Sequence, residues 1–220
     1  MNRTELTQQF FDNLMAAKST KIKHLHFEIY PRYRLLRING RSAGRPDDFE
    51  IAFVDTVAKE IGYYLHVTKL DGDLGGKPLI HALPYRSTNW MHQFSMRGLP
   101  ATILYDYLLP DFTAILSDGN PYAGGLFLWE STVSQTIAFG RKAYYIEESG
   151  TLRAIESREA HLDLHDELWS APARGRINLA AISKKNLTLD ANLPHLLEQL
   201  KPRMHIDTSK LVLGNGILNC

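Results

Sequence analysis

Residues 22–38 read IKHLHFEIYPRYRLLRI, and the alternation in this stretch sets the expected architecture. Every second position from Leu25 is Leu25, Phe27, Ile29, Pro31, Tyr33 and Leu35, and the positions between are His24, His26, Glu28, Tyr30, Arg32 and Arg34. A period of two belongs to a strand with one face on a core and the other turned away. The sequence therefore predicts one long strand over 22–38, closed by the Asn39-Gly40 turn signal and given a bulge or an edge position by Pro31. Its polar face holds imidazoles, a carboxylate, a phenol and guanidiniums. These groups move protons, bind metals and hold phosphates, so this face is the first candidate for chemistry.

Around that strand the bulk composition sets limits. The chain has 220 residues, 44% of them hydrophobic and 22% charged, which suffices for a packed core and argues against disorder. Formal net charge is +1, which excludes a globally basic nucleic-acid binder. Residues 18–45 nevertheless carry Lys18, Lys21, Lys23, Arg32, Arg34, Arg37, Arg41 and Arg45 against Glu28 alone, a local stripe suited to phosphate. The lone cysteine, Cys220, leaves no internal disulfide to form and fits a reducing, cytoplasmic setting. No apolar run reaches the roughly 18 residues of a membrane span, and the first residues do not read as a signal peptide.

The rest of the chain alternates between the two periodicities. A short amphipathic helix carries Leu6, Phe10 and Leu14. Pro46 opens a second helix, with Asp47, Asp48 and Glu50 in its first turn, Phe49, Phe53, Val57 and Ile61 at helical spacing, and Gly62 at its end. A strand over 63–70 leads to a Gly-rich turn at 71–76, and Asn89 caps a short helix ending near Gly98. Strands are expected at 101–108, 111–116, 126–133, 135–147 and 176–182, helices at 151–169 and 192–201, and a hairpin at 211–218. Trp90, Met91, Phe94 and Met96 read as core. The Gly119–Gly125 stretch reads as a plain loop, because no helix is expected after it. The expected fold is a single α+β domain over 1–220, with a central mostly antiparallel or mixed sheet and flanking helices. Places for a subdivision are near residue 150 or at 171–175.

The sharpest local motif is Leu109-Pro110-Asp111-Phe112-Thr113-Ala114-Ile115-Leu116, followed after a Gly/Asn/Pro-rich loop by Leu126-Phe127-Leu128-Trp129-Glu130. Paired as an antiparallel hairpin, these strands bring Asp111 and Glu130 to one end. The segment resembles the PD-(D/E)xK nuclease superfamily over about 22 residues: Pro110-Asp111 matches the entry to the first strand and Glu130 the acidic position of the second, with Thr132 where the family has lysine. The resemblance implies a divalent-metal-dependent nuclease. Asp111 and Glu130 would hold Mg²⁺ or Mn²⁺, His24, His26 or Lys142 would assist the water, and Arg32, Arg34 and Tyr30 would contact the substrate.

Other constellations give other chemistry. His24-x-His26 on a strand and His161 with His165 four apart on a helix form an alternative Zn²⁺ or Fe²⁺ ligand set, which would make a metalloenzyme acting on a small molecule. His205-Ile206-Asp207, with His195 upstream, has general-base character. Tyr85-Arg86-Ser87-Thr88-Asn89 resembles the Ser-Thr element of ADP-ribosyltransferases, which implies an upstream Arg34 and a downstream Glu130, although Ser-Thr runs before a helix usually serve as caps. No G-x-S-x-G nucleophile elbow, P-loop or paired C-x-x-C occurs. The expected function is cleavage of nucleic-acid phosphodiesters. A non-catalytic nucleic-acid-binding or assembly subunit is the alternative that Thr132 favours. Nucleic acid is the expected partner, with a homo-oligomer or complex subunit as the expected assembly and no membrane association.

Overall fold

The structure, a computed structural model, describes residues 3–22, 25–41, 47–117, 125–147, 150–169, 179–187 and 198–199. Among them the chain runs α1 (Arg3–Ala16), β1 (Ser19–Lys21), β2 (Tyr33–Asn39), β3 (Phe49–Asp55), β4 (Glu60–Asp73), β5 (Pro78–Arg86), α2 (Trp90–Ser95) and α3 (Leu99–Thr102). A π-helical stretch follows at Ile103–Leu108. The order then continues β6 (Thr113–Ser117), α4 (Gly125–Ala138), β7 (Lys142–Ile146), β8 (Leu152–Ile155), α5 (Arg158–Trp169) and β9 (Leu179–Ser183). The nine described strands form one mixed sheet in the order β1-β2-β3-β4-β5-β6-β9-β7-β8. The pairs β1–β2, β2–β3, β3–β4, β6–β9, β7–β9 and β7–β8 are antiparallel, and β5–β6 is parallel. With helices interspersed, this is the α+β architecture with a mixed, mostly antiparallel sheet.

The chain gathers into two compact units. Among the described residues the first draws on 3–69 and 82–107, and the second on 70–81 and 108–199. Residue 150 lies inside the second unit, and 171–175 lie outside the described residues.

In the first unit, α1 lays Phe11 and Leu14 against Leu36, Ile38, Ala52, Val54, Ile61 and Tyr64. Burial of each such side chain stabilises by about 1.5–3 kcal/mol. The core holds an ionic network. Arg41 Nε and a terminal guanidinium nitrogen donate to both oxygens of Glu50 (2.7 and 2.5 Å), and the Tyr64 hydroxyl donates to the same carboxylate. Burial, then the Glu50 charge, pushes the Tyr64 phenol far above its ordinary value. The guanidinium of Arg41 also lies 4.7 Å from the Phe10 ring centroid.

In the second unit the two faces of the sheet can be told apart by alternation. Leu70, Leu74, Leu79, Ile115, Tyr144, Ile146, Leu179 and Ala181 pack on one face. Ala143, Tyr145 and Ala180 point the other way and meet Val133 of α4 and Leu164 of α5. Lys77, in the β4–β5 turn, donates to the carbonyls of Leu109 (2.6 Å) and Pro110 (2.7 Å), which anchors the approach to β6.

Several expectations fail, each for a physical reason. The 22–38 strand shortens to β2, because the chain turns at Pro31-Arg32, where the Tyr33 amide donates to the Tyr30 carbonyl (2.8 Å). The helix expected from Pro46 to Gly62 is instead β3, a turn, and the start of β4. A spacing of four is also two strand repeats, and β3 is buried along its whole length between two neighbours, so its near-continuous apolar run carries no amphipathic signal. The strand expected at 101–108 is helical, entered through left-handed Gly98 (φ 82°) with Pro100 in the first turn. The strand expected at 126–133 and the beginning of that at 135–147 are helix α4. It ends at left-handed Gly140 (φ 65°), where the Arg141 amide reaches the Thr136 carbonyl (3.0 Å) in a Schellman closure. Helix α4 begins at Gly125, so a helix does follow residues 119–124, against expectation. The helix expected at 151–169 is divided into β8 and α5, with the Ser157 hydroxyl accepting from the Ala160 amide (3.1 Å). The elements expected at 63–70, 111–116, 176–182 and after Asn89 are present as β4, β6, β9 and α2. Those expected at 192–201 and 211–218 fall largely or wholly outside the described residues.

Candidate binding site

The register of the first unit brings several loops to one end of its strands. Tyr33, the first residue of β2, pairs with Asp55, the last of β3, and Asp55 pairs with Glu60, the first of β4. Just beyond β5, the Ser87 amide donates to the Gly62 carbonyl (2.9 Å), so α2 starts at this same end.

Hydrogen bonds fix each piece. Asn89 caps α2, its side-chain oxygen accepting from the Met91 amide (3.0 Å). One turn in, His92 is 2% exposed. Its Nε2 lies 2.7 Å from Glu60 Oε2, and because a carboxylate only accepts, Nε2 carries the proton. Nδ1 faces the Tyr33 hydroxyl at 3.1 Å. The Tyr33 ring stacks on Phe53 at 4.6 Å. Gly62 lets the helix come this close, since a Cβ there would sit 3.1 Å from Phe53 Cδ1 and 3.3 Å from His92 Cβ.

The adjacent turns are tied in as well. Arg32 donates to Asp55 Oδ2 (2.5 Å), while the Val57 and Ala58 amides donate to Oδ1 (3.0 Å each). Burial alone would raise the Asp55 carboxyl, but Arg32 and the two amides outweigh it and hold it below the usual carboxylate range. The Thr56 amide and hydroxyl both donate to the Arg32 carbonyl (2.8 Å each).

This rigid frame presents apolar side chains to water. Trp90 is 74% exposed, Phe94 68% and Met91 41%, and only Met96 of the four residues expected in the core is buried. Val57 and Tyr30 are also exposed in the two adjoining turns. Among the described residues seven large hydrophobic side chains are exposed, and five of them belong to this one end. The exposed side chains Lys59, Arg86 and Arg97 flank it in sequence.

The residues singled out from the sequence are placed otherwise. Arg32 donates one guanidinium nitrogen to Asp55, and its side chain remains about one-third exposed. Arg34 is exposed on β2, and His26, Glu28 and Tyr30 are exposed in the irregular segment before it. His24, His195, His205 and Asp207 lie outside the described residues. The hairpin meant to join Asp111 and Glu130 is not formed. β6 pairs with β5 and β9, and Glu130 and Thr132 lie in α4. Asp111 is exposed ahead of β6 and interacts electrostatically with Lys77. The Lys77 ammonium is pulled below its usual range by burial and then by Lys184 and Lys185. Lys142 is exposed at the start of β7, opposite Ser183. His161 is buried on α5 one turn before His165, as the spacing predicts. Among the described residues no group of three or more His, Cys, Asp or Glu is arranged to hold a metal, which leaves the Mg²⁺, Mn²⁺, Zn²⁺ and Fe²⁺ expectations without a ligand set there. Among the described residues no helix is long and apolar enough to cross a membrane. No protein-family model, curated protein or solved structure matches the chain.

Proposed function

We propose that this chain binds single-stranded nucleic acid, without cleaving it, through the α2 end of its first unit. The observation that carries the reading is the outward display of Trp90 and Phe94 from a helix locked by the buried His92. Exposed aromatic faces on a rigid support stack on bases of any identity, each stacked base contributing about 1–3 kcal/mol. Lys59, Arg86 and Arg97 supply the positive charge that backbone phosphates require, and the buried acid of this end, Asp55, is already paired with Arg32. Cleavage forms no part of the proposal, because the hairpin that would have brought Asp111 and Glu130 together is absent.

Ultraviolet cross-linking to a single-stranded oligonucleotide, followed by peptide mapping, tests the site. Cross-links are expected within 86–97, with loss of the signal in Trp90→Ala. Cross-links confined to the Lys184-Lys185 region, or none at low salt, contradict the reading.

A further inference from the structure

In the second unit, a histidine and a serine that the binding reading does not use stand together. His81 of β5 is buried, and its Nε2 lies 2.8 Å from Oγ of Ser117, the last residue of β6. β5 and β6 are the parallel pair of the sheet, with His81 level with Ile115, so the serine sits diagonally one repeat further on, on the same face. That face is the one lined by Leu79, Ile115 and Tyr144, opposite the face that α4 and α5 cover through Val133 and Leu164. The histidine is buried and the serine is partly exposed. Ser117 is the last residue of β6, paired with Leu179 of the antiparallel neighbour β9.

We propose that Ser117 and His81 form a nucleophile–base pair that hydrolyses activated acyl esters. With Nε2 accepting the hydroxyl proton, Oγ attacks the carbonyl carbon. The Oγ–C bond forms and the C–O bond to the alcohol breaks. The alcohol leaves with the proton that His81 has taken up. Water, deprotonated by His81, then attacks the acyl-serine, releases the carboxylic acid and restores Ser117. Both steps conserve atoms and charge, and water is the only co-reactant. The pair is local to the second unit, so the proposal stands or falls independently of nucleic-acid binding.

The test is labelling of the full chain with an alkyl fluorophosphonate, in which the Oγ–P bond forms as fluoride leaves, read by peptide mass mapping. 4-Nitrophenyl acetate hydrolysis is followed in parallel. One adduct is expected, on Ser117. Ser117→Ala abolishes both signals, and His81→Gln slows labelling about 100-fold or more. No adduct, adducts only on other serines, or labelling of His81→Gln at the wild-type rate overturns the proposal. If His81→Gln unfolds the chain, the wild type decides alone: faster labelling of Ser117 folded than in urea supports the pair, and equal rates refute it.

Discussion

Helices α4 and α5 turn Val133 and Leu164 into the sheet, whereas α2 turns Trp90, Met91 and Phe94 to water and buries a histidine instead. The first pair is held by apolar burial. The second is held by hydrogen bonds: the Asn89 cap, the Tyr33–His92–Glu60 chain, and close approach over Gly62. A helix attached in this polar way need not spend its aromatic side chains on folding. The contrast therefore separates residues that stabilise from residues that are displayed, and substitutions should divide along that line.

The largest effect is expected where a buried charge loses its partner. Arg41→Ala leaves Glu50 buried and unpaired and should destabilise by about 3–5 kcal/mol in urea melts. Leu164→Ala empties a fully packed site beneath α5 and should cost about 2–5 kcal/mol. If either change were neutral, the apolar and ionic anchors would not be what holds these elements. Asn89→Ala removes the α2 cap and should cost about 1 kcal/mol, with binding weakened as the helix frays. Trp90→Ala should change stability by no more than about 0.5 kcal/mol, because its side chain touches mainly water. A large loss of stability there would erase the distinction between the two kinds of helix.

A further change is read in pH. The Asp55 carboxyl is held low in the folded chain, so its contribution is fully present above the unfolded carboxylate range near ~3.9 and is lost as pH falls through the lowered folded value. Thermal unfolding followed from pH 7 downward should show this acid-side loss diminished in Asp55→Asn, which is less stable at neutral pH from the start.

Much of the fold was legible in the chain itself. β4, β6 and β9 follow from β-branched and aromatic runs, α1 from Leu6, Phe10 and Leu14, and α2 from Asn89. β3 was misread because burial on both faces removes the periodicity that separates strand from helix, and Phe49 and Phe53 satisfy both templates. α4 was misread as a strand because Leu126-Phe127-Leu128-Trp129 is a short continuous apolar run that fits both templates, although Gly140 carried its stop signal. The misreading of α4 also produced the apparent metal hairpin. Of the site, Tyr30 and Arg32 fell within the first stretch singled out, but their roles depended on Pro31 turning the chain. Trp90 and Phe94 looked like core because apolar side chains usually are. The burial of His92 reveals which side of α2 faces inward, and a lone histidine between Met91 and Gln93 gives no warning of that.

In the proposed function the exposed aromatic side chains of the polar-anchored helix α2 form the binding surface. Anisotropy titration of a labelled single-stranded oligonucleotide, with wild type and with Trp90→Ala/Phe94→Ala at two salt concentrations, tests it most directly. Salt-sensitive binding by the wild type is predicted, with affinity lowered at least tenfold in the double variant while its thermal midpoint stays unchanged. Equal affinity of the two proteins, or no binding by either at low salt, would contradict it.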